Sequence, residues 1–219
     1  MKEKIIAFCI FYCCLSLVSA QQTEAFKKGK KPKHIVLFNG KNLKHWQGDM
    51  DVWHIENGAI TAGDTSIKHL QNDFLATKKD YKNFVLTLKF KLEGGPGFVN
   101  SGVQVNSQRN TVAPLNEMVG FQADIGPGYT GSLYDETRRD IILAKADSSM
   151  VEKLLHKNDW NDYEIRCIDR RIVIILNGFQ TIDYTEPEND YPDFGKIGLQ
   201  IHSNAKMKIS FKDIILDQF

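Results

Sequence analysis

From Phe84 to Leu92 the chain reads Phe-Val-Leu-Thr-Leu-Lys-Phe-Lys-Leu, with apolar residues at every second position. A period of two is the pattern of a strand with one face in a core. Similar short runs recur along the chain. They are His34 to Phe38, Val52 to Ile55, Ala59 to Ala62, Phe74 to Thr77, Gly102 to Asn106, Val119 to Ile125, Tyr163 to Ile168, Gly195 to His202 and Met207 to Leu216. Ile172 to Leu176 is continuously apolar and reads as a fully buried strand. Turn signals punctuate the runs at Asn39-Gly40, Asn57-Gly58, Gly94-Gly95-Pro96-Gly97 and Asn177-Gly178. Helical signal is confined to Ser148 to Leu155, with Ser148 expected as its cap. About a dozen strands and almost no helix predict an all-β chain, a two-sheet antiparallel β-sandwich or jelly roll.

Three of these strands carry a shared motif: Gly102-Val103-Gln104-Val105-Asn106, Gly120-Phe121-Gln122-Ala123-Asp124 and Gly198-Leu199-Gln200-Ile201-His202. One face of each is apolar and belongs to the core. The other reads Gly, Gln, then Asn, Asp or His. Glycine is poor in a strand unless a ligand or another backbone comes close. Amides, a carboxylate and an imidazole suit a polyhydroxylated ligand. If the three strands are neighbours, they form one polar wall with a glycine floor.

Lys2 and Lys4 precede an apolar run from Ile5 to Val18, followed by Ser19-Ala20. This reads as a secretory signal over residues 1–20, cut after Ala20. The run is short of the ~20 residues that a bilayer crossing needs. The expected location is therefore periplasmic or extracellular, with no stable membrane span after cleavage. Cys9, Cys13 and Cys14 fall in that segment, which leaves Cys167 as a buried small hydrophobe without a disulfide partner. Lys2, Glu3 and Lys4 also account for the formal net charge of +1. A remainder near neutrality argues against nucleic acid as a partner. The lysine-rich stretch 21–34 reads as a flexible basic leader, and 35–219 as one domain.

Seven motifs stand in order across that domain: Leu37-Phe38-Asn39-Gly40-Lys41-Asn42-Leu43-Lys44-His45-Trp46, Trp53-His54-Ile55-Glu56-Asn57-Gly58-Ala59-Ile60, Asn100-Ser101-Gly102-Val103, Gly120 to Gly126, Gly131-Ser132-Leu133-Tyr134-Asp135-Glu136-Thr137-Arg138-Arg139, Trp160-Asn161-Asp162-Tyr163 and Gly198 to His202. Together they resemble the 3-keto-disaccharide hydrolase domain family of secreted bacterial proteins. The resemblance implies a concanavalin-like jelly roll acting on glycosides already oxidised at C3, some members cleaving by elimination rather than hydrolysis. It also implies a separate oxidoreductase that supplies the ketone. This chain departs from many members in carrying Gln122 where they carry Glu.

For that chemistry a base must take the C2 proton, donors must hold the enediolate, and an acid must protonate the leaving oxygen. His202 is the leading base candidate, since an imidazole titrates near pH 6.5 in general; its other reading is a hydrogen-bonded histidine that shapes the sheet. Asp124 is the second: a base, a metal ligand or a hydroxyl acceptor, or else a structural partner of Arg138 or Arg139. In an extended chain Tyr134, Glu136 and Arg138 share a face. Glu136 would then be the acid and Arg138 the enediolate clamp; otherwise the segment is a surface ion-pair cluster. Asn100, Ser101, Gln104, Gln122, Tyr129, Tyr134 and Gln200 are candidate sugar contacts. Trp46, Trp53 and Trp160 read as core or edge packing. The other histidines (34, 45, 54, 69 and 156) receive no role.

His202, Asp124 and Glu136 are ligand types that suit a divalent cation, but no tight spacing supports one. The absence of a phosphate loop, a dinucleotide glycine cluster or a Gly-x-Ser-x-Gly elbow predicts neither nicotinamide nor flavin. Two other readings stay open. One is a glycan-binding module without catalysis; the other is a conventional glycosidase with Asp124 and Glu136 as its carboxyl pair.

Overall fold

The computed structural model describes residues 31–110 and 117–219. The expected signal lies outside the described residues, as does the leader up to residue 30. Lys33 and His34 already belong to the first strand, where they pair with Gln218 and Asp217. No described helix is long and apolar enough to cross a membrane.

Residues Lys33–Gln218 form two antiparallel sheets of eight strands each. The first runs in the order β14 (Phe179–Thr185), β13 (Arg171–Leu176), β12 (Asn161–Ile168), β7 (Phe84–Gly97), β16 (Ala205–Gln218), β4 (Ala59–Asp64) and β3 (Trp53–Glu56), with β1 (Lys33–Phe38) also on β16. The second runs β11 (Ile141–Ala144), β10 (Leu133–Glu136), β9 (Met118–Ile125), β8 (Ser101–Arg109), β15 (Phe194–Ile201), β5 (Asp73–Thr77) and β2 (Trp46–Gln47), with β6 (Tyr81–Lys82) also on β15. One helical segment, α1 (Ser148–Leu154), is present among the described residues. Its cap is Asp147 rather than Ser148. The carboxylate accepts from the Ser149 and Met150 amides at 2.9 and 3.3 Å, and Ser148 is already the first helical residue.

The alternation read from the sequence is what packs the sandwich. Phe84, Leu86, Leu88 and Phe90 of β7 are buried, and the residues between them are half-exposed. Val103, Val105, Phe121, Ala123, Ile197, Leu199 and Ile201 join Ile165, Cys167 and Ile174 in one apolar cluster between the sheets. Trp46 and Trp53 are core residues. Trp160 lies at an edge beneath the Lys91 and Lys212 ammonium groups. The Tyr163 hydroxyl crosses from β12 to donate to the Asp124 carbonyl at 3.0 Å, tying the first sheet to the strand that carries the polar wall.

Candidate functional site

The three motif strands are indeed adjacent: β9, β8 and β15 lie side by side. Gly102 pairs with Asp124 on one flank and Gln200 on the other. Gln104 pairs with Gln122 and with Gly198, and Tyr134 and Glu136 of β10 pair with Gln122 and Gly120. Since period two puts alternate residues on one face, Tyr134, Glu136, Gln122, Asp124, Gln104 and Gln200 share the face of the second sheet that points away from the core.

The glycines do not leave an open floor. A Cβ at Gly102 would lie 2.6 Å from the Gln122 side chain, one at Gly198 would lie 2.4 Å from Met118 Sδ, and one at Gly120 would lie 2.4 Å from Ser107 Oγ. Each glycine makes room for a neighbouring strand's side chain. This folds the wall down and buries Gln104, Gln122 and Asp124. Their amides are committed to one directed chain. Ser107 Oγ donates to Gln104 Oε1 at 2.6 Å, Gln104 Nε2 donates to Gln122 Oε1 at 3.0 Å, and Gln122 Nε2 donates to Asp124 Oδ1 at 3.0 Å. Gln104 and Gln122 are therefore support for Asp124 rather than free sugar contacts. Gln200 differs. It is fully buried, and neither its Oε1 nor its Nε2 has a partner among the described residues. A buried amide with both ends unsatisfied is costly, which sets Gln200 apart from the other two glutamines.

The carboxyl groups on this face are raised above their ordinary values. Burial pushes Asp124 up to about 7, against the pull of the Gln122 donor. Burial also pushes Glu136 up to about 8, and the negative charges of Glu117, Asp124 and Asp140 add to the shift. Tyr134 is raised by burial and then by Asp140, Glu136 and Asp124, so it remains a neutral donor. Glu117, at the start of β9, is raised by burial, while a hydrogen bond from Asn72 and the attraction of His202 oppose the rise. Its Oε2 is buried without a partner among the described residues. Sequence reasoning missed Glu117. It precedes the strand in the opposite phase to Gly120, Gln122 and Asp124, so alternation assigns it to the wrong side. A divalent cation would need several such groups converging, and among the described residues no set of three or more His, Cys, Asp or Glu side chains does so.

His202 follows the last residue of β15. Its amide continues the ladder to the Asn100 carbonyl at 3.2 Å, and its Nδ1 lies 2.9 Å from the Ser203 carbonyl. A carbonyl can only accept, so Nδ1 carries a proton, and in the neutral ring it is Nε2 that holds the lone pair. The half-buried ring meets Phe98 edge-on at 4.8 Å, and Phe98 meets Tyr129 at 5.9 Å. Tyr129 thus reaches the site through Phe98, in the loop that follows Asp124. His202, Glu117, Glu136 and Asp124 form a series of electrostatic neighbours.

Two expectations fail. Arg138 does not share a face with Tyr134 and Glu136. The strand ends at Glu136, and Thr137 takes a left-handed φ of 60°. The turn is closed by Asp140 N donating to Asp135 O at 3.0 Å. Arg138 is carried to the core side, where Nε donates to both Asp135 oxygens at 2.8 and 3.1 Å and the guanidinium stacks between Phe121 and Tyr191. It is a structural ion pair, not an enediolate clamp. Ser101 is the second. It lies in phase with Val103 on the core side, fully buried, and its hydroxyl donates to the Gln200 backbone carbonyl at 2.7 Å.

A cavity of about 520 Å³ opens elsewhere, between α1, the end of β7 and the 126–130 loop, with Phe90, Leu92, Ile125, Val151 and Leu155 in its lining. None of the candidate catalytic groups lines it.

The model of the 3-keto-alpha-glucoside-1,2-lyase-like domain matches residues 33–217. No curated protein matches the chain. Among solved structures it is similar to a "putative glycosyl hydrolase" from Parabacteroides distasonis (18% identity, 85% of this chain and 94% of that one, TM-score 0.64). It is also similar to the carbohydrate-binding module CBM66 from Bacillus subtilis (11% identity, 83% and 97%, TM-score 0.61). A third is a Bacillus subtilis protein with a galectin-like fold (12% identity, 88% and 97%, TM-score 0.62). These neighbours share the jelly-roll sandwich, and the family match makes the function carbohydrate-related.

Proposed function

Because this chain belongs to the 3-keto-alpha-glucoside-1,2-lyase-like domain family, we propose that it is an exported enzyme that cleaves the glycosidic bond of 3-keto-glycosides. The observation that carries the reading is one face holding two carboxyls raised to about 7 and about 8, with Glu117 as the charge neighbour shared by Glu136 and His202. The division suits elimination. A C3 ketone acidifies the C2 hydrogen; His202 Nε2 takes that proton and the electron pair moves into the enediolate. Tyr134 and the unpartnered amide of Gln200 supply donors for the enediolate oxygens. The C1–oxygen bond then breaks, and Glu136, still protonated at neutral pH, gives its proton to the departing oxygen. The products are an unsaturated keto sugar and the free aglycone. Water added across the new double bond would make the net reaction a hydrolysis. Glu117 attracts the imidazolium while it carries the C2 proton.

Export is supported by the run from Lys2 to Ala20. The ketone would come from a separate oxidoreductase, since the chain carries no dinucleotide motif. The likeness to a carbohydrate-binding module favours a second reading, a glycan-binding domain that holds sugars without cleaving them.

Incubation with a 3-keto-glucoside and with its unoxidised parent tests the readings together. Release from the ketone alone is expected, with solvent deuterium appearing at C2 of recovered substrate or of the hydrated sugar but not of the unsaturated product. His202→Ala should cut turnover by roughly 10²–10⁴-fold, the usual weight of a general base. Release from both substrates would identify a conventional glycosidase, and binding without release would identify the binding module.

A further inference from the structure

Phe98 is a large apolar side chain that is 45% exposed and yet firmly held. Gly97 adopts φ +116°, and a Cβ there would lie 2.3 Å from the Asn204 carbonyl oxygen, so glycine alone lets the end of β7 lie against residues 204–205. Val99 N then donates to Gly97 O at 3.1 Å, closing a three-residue turn with Phe98 at its tip. The ring is wedged edge-on against His202 at 4.8 Å and Tyr129 at 5.9 Å. Its remaining surface faces solvent at the point where the proposed base sits.

A second apolar segment is fastened to the same stretch. His69 N donates to Ala205 O at 3.0 Å, Asn204 N donates to His69 O at 2.8 Å, and Ser203 N donates to Asn72 Oδ1 at 2.9 Å. Leu70, between the anchors at 69 and 72, and Ile67, two residues before them, are 73% and 67% exposed. Single exposed apolar residues need no explanation, but three on two segments pinned to residues 202–205 mark a contact surface. Asn72 is also the residue that hydrogen-bonds Glu117, so this segment belongs to the site's construction.

We propose that Phe98, with Ile67 and Leu70 at its edge, forms a leaving-group subsite for an aromatic aglycone. The inference rests on the reading of the polar wall as the place of the keto sugar ring. The amides and carboxyls there take up hydroxyls, and the group on C1 extends past His202 onto Phe98. An aryl group gains edge or offset stacking and apolar burial on this surface. A second sugar could offer this surface only a CH face while its hydroxyls stay in solvent, so it would bury less apolar area than an aryl group.

The test compares a 3-keto phenyl glucoside with a 3-keto glucosyl-glucose, each in both anomeric forms, on the full chain. The intact protein is expected to favour the phenyl substrate in kcat/KM. Phe98→Ala is expected to lower the phenyl-to-glucosyl ratio about tenfold, and Leu70→Ser to lower it by less in the same direction. The ratio cancels any general disturbance of His202. An unchanged ratio overturns the subsite even if both rates fall. If the intact protein releases neither aglycone, the proposed reaction fails, and the subsite is read by saturation-transfer NMR with unoxidised phenyl glucoside. Transfer to the phenyl protons that disappears in Phe98→Ala supports it; transfer confined to the sugar protons, or unaffected by the substitution, overturns it.

Discussion

Asp135 and Glu136 are adjacent in sequence and meet opposite fates. Asp135 points to the core side, fully buried, between Arg138 and Arg139. Arg139 continues to Glu186, which burial alone would raise but which donation from Arg139 holds below the usual carboxylate range. Two cations answer two anions, although Arg138 Nη2, in ion-pair contact with Asp135, makes no hydrogen bond among the described residues. Glu136 points to the other face, where its charged neighbours are Glu117, Asp124 and Asp140. Among the described residues the cation in this series is His202, which when protonated acts on Glu117. A satisfied buried charge network holds a turn in shape, whereas an acid crowded by acids retains its proton and can give it away. The contrast sets a scaffold carboxylate beside the proposed acid within two residues.

The largest expected difference comes from removing each carboxylate in turn. Glu136→Gln keeps shape and hydrogen-bonding capacity while deleting the transferable proton. Release of aglycone from a 3-keto-glucoside should fall by roughly 10²–10⁴-fold, with the unfolding midpoint at pH 7 unchanged or raised. Asp135→Ala should show the reverse order of damage. It leaves two part-buried arginines short of their anion, which costs about 3–5 kcal/mol in urea unfolding. Any protein that still folds should retain far more activity than Glu136→Gln. Equal loss of activity in both variants with no loss of stability in either would erase the distinction.

The next effect is a pH dependence of stability. Asp124 and Glu136 have folded-state pKa values of about 7 and about 8, above their ordinary values of 3.8 and 4.5. The folded protein therefore binds more protons than the unfolded chain between about pH 4 and pH 8. Stability is full below that window and is lost as pH rises through it. The urea midpoint should decline from pH 5 to pH 9, and the double substitution Asp124→Asn with Glu136→Gln should flatten the decline. A midpoint that stays flat over this range would show that the two acids are ionised in the folded protein.

The scaffold was largely legible because its signal is local. Period-two alternation marked β7, β9, β12 and β15, and it also predicted which residues of the three Gly-x-Gln strands face the core. It even implied that those strands are neighbours, since their shared polar face makes sense only on one surface. β10, β11 and β14 went unmarked. The first two are only four residues long, and β14 places a register shift opposite Ile174–Ile175, which blurs its period. The errors at the site have the same origin. Extrapolating alternation past Glu136 put Arg138 on the wrong face because Thr137 ends the strand with a left-handed turn. The same rule hid Glu117 by a phase change at a strand's start. The glycine floor was read as space for a ligand, whereas each glycine accommodates a side chain from the next strand; a sequence shows that room is needed but not what fills it.

The smallest effect probes that filling. Gln122 occupies the space above Gly102 and hands one N–H to Asp124 while accepting one from Gln104. Gln122→Glu preserves the shape and the acceptor for Gln104 but removes the donor to Asp124. The introduced carboxyl also stands beside a group already raised to about 7. Both changes act in one direction: the donor that favoured the Asp124 anion is gone, and a like charge disfavours it further. The two carboxyls should share a proton, with the upper apparent pKa of the pair above that of Asp124 alone. Carbon-detected NMR of the Asp124 carboxyl should show its midpoint moving up. Urea unfolding should show a loss of about 1–3 kcal/mol at pH 8 and little at pH 5, where both groups are protonated. A midpoint that stays in place would mean that the amide of Gln122 points away from Asp124. The directed chain from Ser107 would then run the other way, leaving burial alone to set the Asp124 proton.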